Sequence, residues 1–556
     1  MKRKTACILL AAAASLLSSC TKQEQTADSP ADSSAVESTA DDTSAAESSD
    51  TENTSEEQKD TDAQDTAVLP RITIETVNQD PDVLDFVTEP VAEHVSSQIA
   101  TWTPGYVMPP APYQEACKVS FSLPDGTVQI ADADADVKVR GNWTTNYEKK
   151  PLRIKFAEKQ KLIQDEGGSE ARNWVLLACY KDASLLRDKT ALDIARGILE
   201  PDGLYASEAE LVEVEINGAY WGVYLLVDML QVHSDRVDIN EPEQDYQGTD
   251  IGYLLEFDGY FYNEEPLNQF HVDYMDNAPL KPFNGIEDTG REITCLPEDE
   301  DDPKKDVGFT IKSDINSQEQ HDFIASYVNQ VYQIMYHAAY DNQAYCFNED
   351  YSAIAETADM TPQEAVEAVV NVQSLADMYL VSELTCDADI YWSSFYMDVD
   401  FSADGDKKLT FEAPWDFDSG LGNKDRCAKG KGFYAANAVP DVDGNAYSYT
   451  YETINPWLAV LMYADWYQDI IREKWTAVYD AGVLDEAVQQ INAVTSDYAD
   501  AFKRNDDRWG VSTKDEAVAM ELYSGAKLCR SQTEAANYLS EWMTNRVAFM
   551  NEKWHQ

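Results

Sequence analysis

The chain has 556 residues, and its 42 Lys+Arg against 102 Asp+Glu give a formal net charge of −60. A field that negative excludes a nucleic-acid binder that works by neutralising phosphates, disfavours adhesion to anionic lipid through a basic surface, and points to a soluble monomer. At 44% apolar and 11% aromatic residues the chain can bury a core, and its length suits two or more domains or one large domain with insertions.

Residues 1–20 read as a secretory signal. Lys2, Arg3 and Lys4 form a charged start, Ile8 to Leu17 a short apolar run, and Leu17-Ser18-Ser19-Cys20 resembles the bacterial lipobox. The run falls short of the about 20 apolar residues a spanning helix needs, and no later segment comes near that length. The expectation is a lipid on Cys20 and a protein held at the bacterial surface or envelope, touching the membrane only through that lipid. An ordinary signal with a chance cysteine is the plainer alternative. Residues 21–67 carry fourteen acids, two lysines and no aromatic residue. Such a segment cannot bury enough apolar surface to offset its ordering entropy, and it reads as a disordered acidic stalk. The cysteines beyond Cys20 are scattered, without a CxxC pair, so neither zinc-finger spacing nor a disulfide framework is implied.

The folded part opens with an alternating strand from Leu69 to Thr76. Lys118 to Leu123 and Thr127 to Ile130 form a hairpin around Pro124-Asp125-Gly126. Strands at Val137 to Arg140 and Leu152 to Phe156 flank a polar loop. Leu211 to Ile216 alternates, Asn217-Gly218 favours a tight turn, and the return strand Trp221 to Val227 is apolar on both faces. Residues 241–312 are acidic and loop-rich, with a strand near Tyr253 to Phe257. Helical spacing starts after 317 with Phe323, Ile324, Tyr327, Val328, Val331 and Tyr332. A helix from about Ser374 to Leu384 leads to Asp389, a hairpin follows (Ser394 to Asp400, Leu409 to Ala413), and 456–554 is helical.

Three polar clusters end these strands. In RGNWTTNYEKKPLRIKF (140–156) a Gly-containing loop precedes Lys149, Lys150, Arg153 and Lys155, a basic group that suits phosphate or, more plainly, a solvated basic face. Asp389 and Ser394 sit between a helix and a hairpin. Asp416 and Asp418, at i and i+2 after a strand, can share one divalent ion, since hard cations take carboxylate oxygens; an Asp turn is the bland alternative. Their order parallels the protein-kinase layout: a basic strand, a loop Asp with a second metal-side residue five positions on, a hairpin, and a metal-holding Asp.

Together these runs resemble the CotH family of atypical secretory kinases. The motifs carrying the resemblance are RGNWTTNYEKKPLRIKF, INGAYWGVYLL (216–226), SELTCDADIYWSSFYM (382–397) and APWDFDSGLG (413–422). NWVLLACYKDASLLRDKTALDIA (173–195) is similar to a further family segment, and the likeness covers roughly 68–554. The resemblance implies ATP with Mg2+ or Mn2+, and transfer of the γ-phosphate to Ser or Thr of an extracytoplasmic protein. It makes Asp389 the catalytic residue, Asp416, Asp418 and Ser394 the metal side, and Lys149, Lys150, Lys155 and Arg140 candidates for the nucleotide. It also implies an α+β, atypical protein-kinase-like fold: a sheet-rich, mostly antiparallel N-terminal half (about 68–240), an acidic insertion (about 241–316), and a helical C-terminal part (about 317–556), with the active cleft between the halves. Two positions depart from the expected pattern, Asp228 where the family has Glu and Ser394 where a kinase has Asn. They leave an alternative, a catalytically inactive surface protein binding a partner protein or carbohydrate.

Other chemistries lack their motifs. There is no GxxxxGK[ST] loop, no HExxH and no GxSxG elbow. A paired-carboxylate glycosidase has no support beyond the abundance of acids.

Overall fold

Seven strands close into a barrel: β1 (Arg71–Thr76), β2 (Glu115–Ser122), β3 (Val128–Val139), β4 (Leu152–Gln160), β5 (Ala171–Leu177), β6 (Ala209–Ile216) and β7 (Ala219–Asp228). The order is β1-β2-β3-β4-β5-β7-β6, antiparallel throughout except where β6 meets β1 in parallel to seal it. The structure, a computed structural model, describes residues 67–556 apart from 79–82, 111–112, 164–167, 286–287, 289, 297–306, 425–429 and 439–452. Cys20 and the segment read as a stalk, up to residue 66, lie outside the described residues.

The period-two patterns place the barrel interior. Ile72, Ile74, Val119, Phe121, Val137, Leu152, Ile154 and Trp174 alternate with outward residues and are fully buried. The Asn217-Gly218 turn forms as expected, both residues at positive φ (49° and 74°). Thr127–Ile130 and Val137–Arg140, expected as two strands, are one long strand, β3. The Ala-Asp run between them has no β-branched residue to mark it in sequence. Pairing with β2 across a bulge, where Asp132 takes a φ of 49°, carries it through.

A second sheet has the order β14-β13-β8-β10-β9, built from β8 (Gly252–Asp258), β9 (Gln269–Phe270), β10 (Gly308–Ile311), β13 (Phe395–Asp400) and β14 (Thr410–Phe411); β11 (Tyr345–Phe347) and β12 (Ile354–Glu356) form a separate ladder. The acidic segment 241–316 therefore supplies three strands to this sheet. Helices dominate the rest, the longest being Gln318–Tyr336, Asp465–Asp480 and Gln532–Trp554. Mixed sheets and helices match the α+β expectation. Among the described residues no helix is long and apolar enough to cross a membrane.

The helix Val372–Thr385 fixes the site. It is buried from Ser374 to its end and capped by the Asn371 side chain, which accepts the Ser374 N–H at 3.2 Å. Near its C-terminus Glu383, fully buried, accepts N–H groups from Tyr434 and Ala435 and pairs with Arg546 of the last helix at 2.5 Å. The helix stops at Cys386, left-handed at φ 48°, which turns the chain into Asp387 and Asp389.

Candidate active site

Two loops bring the acids together. The Asp387 carboxylate accepts the Asp389 N–H at 3.0 Å, an Asx turn that fixes the loop after the helix. The loop after β14 is tied to it where Leu421 N–H donates to Thr385 O at 2.6 Å, and Phe417 N–H donates to Asp188 at 3.1 Å. Asp416 itself sits at φ 71°. One carboxylate oxygen each from Asp389, Asp416 and Asp418 lie within 4.8 Å of one another, a spacing that fits one divalent cation.

Two cations face these acids. Lys181, in the turn between β5 and the helix Arg187–Leu199, is 5% exposed and pairs with Asp418 at 2.6 Å while donating to Ser419 Oγ. Arg140, just past β3, lies over the Trp415 ring at 5.6 Å from its centroid, within the field of Asp416 and Glu256. Residues from both halves of the sequence thus meet at one place.

The charges are out of balance. Burial first, then the carboxylates of Asp418 and Asp389, push Asp416 well above the usual carboxylate range. Burial and the neighbouring acids do the same to Asp387, and burial with Asp418 and Asp182 raises Asp188 to about 7. Burial would lower the Lys181 ammonium, but Asp418 and the other negative groups outweigh it and hold it well above its ordinary value. Among the described residues, Lys181 and Arg140 cannot between them neutralise this many carboxyls. A bound divalent cation would, and hard oxygen donors are the right donor set for Mg2+ or Mn2+.

The sequence-expected residues divide clearly. Asp389, Asp416 and Asp418 come together, with Arg140 beside them. Ser394, at φ 60° just before β13, donates its backbone N–H to Glu256 at 3.1 Å, and Glu256 also pairs with Lys312 at 3.0 Å. Lys149 and Lys150 must be corrected. The Lys149 ammonium is fully buried, donating to Ala178 O and Val223 O over the Tyr224 ring, and burial lowers it to about 7. Lys150 is 5% exposed and donates to Thr145 O and Tyr147 O. Both ammonium groups serve backbone carbonyls of the polar loop and barrel, leaving none to reach a nucleotide. Lys155 is exposed on the outer face of β4, rungs away from the acids. Asp228 accepts the Glu208 N–H at 2.9 Å and faces Arg236 at 3.5 Å.

Sequence reasoning missed Lys181, Asp188 and Asp387. Its one available signal was Lys181-Asp182 standing between an apolar strand and a helix in NWVLLACYKDASLLRDKTALDIA, because Asp182 caps that turn by accepting N–H groups from Ser184, Leu186 and Arg187.

The chain is α+β, three acids that could share a cation converge beside a buried lysine, and the family match makes it kinase-like in class. The family model described as CotH kinase protein matches residues 137–550, most of the chain, and the protein belongs to that family. No curated protein matches the chain.

Proposed function

We propose that this protein is an extracytoplasmic kinase, lipid-anchored through Cys20, that transfers the γ-phosphoryl group of ATP to Ser or Thr of a protein. The observation that carries the reading is the convergence of Asp389, Asp416 and Asp418 within 4.8 Å, with Lys181 paired to Asp418. Asp416 and Asp418 would hold Mg2+ or Mn2+, which when bound neutralises charge on the phosphates. Lys181 and Arg140 are the cations placed to orient phosphate oxygens. Asp389 orients the acceptor hydroxyl and takes its proton as the new P–O bond forms and the β–γ bridging bond breaks. Phosphoryl transfer needs little covalent work from a protein beyond this positioning and charge stabilisation.

The test is incubation of the full chain with labelled ATP and Mn2+, beside Asp389→Asn and Asp416→Asn. Asp389→Asn should lose transfer while keeping nucleotide binding, and Asp416→Asn should lose the Mn2+ dependence of that binding. Label incorporated equally by both variants, or no Mn2+-dependent nucleotide binding by the native chain, would sink the reading.

A further inference from the structure

The outer face of β3 and β4 carries a row of cations that the catalytic reading leaves mostly unused. Val137, Val139, Leu152, Ile154 and Phe156 point into the barrel, so Lys138, Arg140, Arg153 and Lys155 point out of it. The register makes rungs of them: Arg140 N–H donates to Pro151 O, Lys138 faces Arg153, and Lys155 faces Asp136. Lys138, Arg140 and Arg153 are half-buried, and Arg153 repels both Lys138 and Arg140. Among the described residues Lys138, Arg153 and Lys155 have no ion pair, and the buried Nε of Arg153 has no hydrogen-bond partner. Asp136, the acid in the last rung, accepts from Gln114 at 3.2 Å. In a chain of net charge −60, three such cations without a carboxylate partner are an unspent anion-binding surface.

The row begins at Arg140, beside the acid cluster, and leads away from it. Alternate residues of a strand are about 7 Å apart, so the last rung lies about 14 Å beyond the first. A triphosphate held at the metal-binding acids and Lys181 stays at the near end of such a row. An extended peptide does not: its own alternate side chains repeat at the same interval of about 7 Å. Resting on the kinase reading, we infer that the acceptor is an acidic segment, lying extended across this face with carboxylates at alternate positions on one side of the target Ser or Thr.

The test uses the full chain with ATP and Mn2+ on three synthetic Ser peptides that carry Asp, Ala or Lys at the second and fourth positions on either side. The Asp peptide should have the lowest KM. Lys138→Glu and Lys155→Glu should each raise that KM, about tenfold together, with the KM for ATP unchanged, because charges at a rim act on the partner they face. Lys155 is exposed, so its reversal leaves the fold intact even where Lys138→Glu does not. Equal KM values for the three peptides, or reversal variants that move the ATP KM instead, would overturn the inference. Anisotropy of the labelled Asp peptide with nucleotide-free protein separates the two readings. Binding lost in Lys155→Glu, without transfer to any peptide, supports the row and sinks the kinase reading. Transfer to all three peptides alike, with no charge-dependent binding, does the reverse.

Discussion

Replacing Lys181 by Met removes an ammonium buried against the acid cluster. The Lys181–Asp418 pair is 2.6 Å apart, with side chains 6% and 9% exposed, so solvent screens it little. At an effective dielectric near 20 that separation corresponds to an attraction of about 6 kcal/mol, most of it offset by the desolvation of both ions. Truncating one partner leaves Asp418 buried beside Asp416 and Asp188 without its counter-charge, and such losses run to about 3–5 kcal/mol. Lys181→Met should therefore destabilise the metal-free chain by about 3–5 kcal/mol in chemical denaturation at pH 7, and Mn2+ should recover more stability in the variant than in the native protein. Phosphoryl transfer should fall by about 10²-fold or more, the usual cost of losing a preorganised charge at a reacting group. Lys149→Met is the matched control. It leaves Ala178 O and Val223 O without their donor and costs about 1–3 kcal/mol, with nucleotide affinity unchanged. A Lys181→Met loss below about 1 kcal/mol, the level of an exposed pair, would refute the electrostatic account, as would unchanged transfer.

The acid cluster also sets a pH dependence. The folded pKa of Asp188, about 7, is raised above its unfolded value, so between about 4 and 7 the folded chain keeps a proton that the unfolded chain has lost. Metal-free stability should fall as pH rises through that window and then level off, whereas stabilisation by Mn2+ should grow over the same range, since binding displaces protons; thermal denaturation with and without Mn2+ from pH 5 to 8 checks both slopes. Arg546→Met should cost about 3–5 kcal/mol in chemical denaturation, because it strands buried Glu383 just before the loop that carries Asp389. Gly422→Ala should also destabilise markedly: the residue sits at φ 76°, and an added Cβ would stand 2.5 Å from Trp542 Cδ1. Should Gly422→Ala melt with the native protein, the close packing of the last helix on this loop is wrong.

Some of the site was legible without coordinates because its chemistry is local. Asp389, Asp416 and Asp418 each sit where an element ends, and acids at such positions after a buried helix or strand are recognisable as polar groups held at an edge. The basic loop was legible as a cluster, but the roles of its members were not. Lys149 and Lys150 look as available as Lys155 in a linear reading, yet Lys149 donates to buried carbonyls of Ala178 and Val223, and Lys150 to those of Thr145 and Tyr147 in the polar loop. Lys181 carried no basic neighbourhood to attract notice, and its importance comes from a partner 237 positions later, Asp418.

Local sequence therefore determined much of the fold: one-face burial wrote a repeat into β1, β2, β6 and the helical C-terminal part, an unbroken apolar run marked β7, and turn chemistry marked Asn217-Gly218. Which cations meet the acids was decided only by tertiary structure. Charge acts through space, and barrel closure with strand register sets which way each lysine points: Lys149 into the barrel, Lys155 out along its wall, and Lys181 onto Asp418.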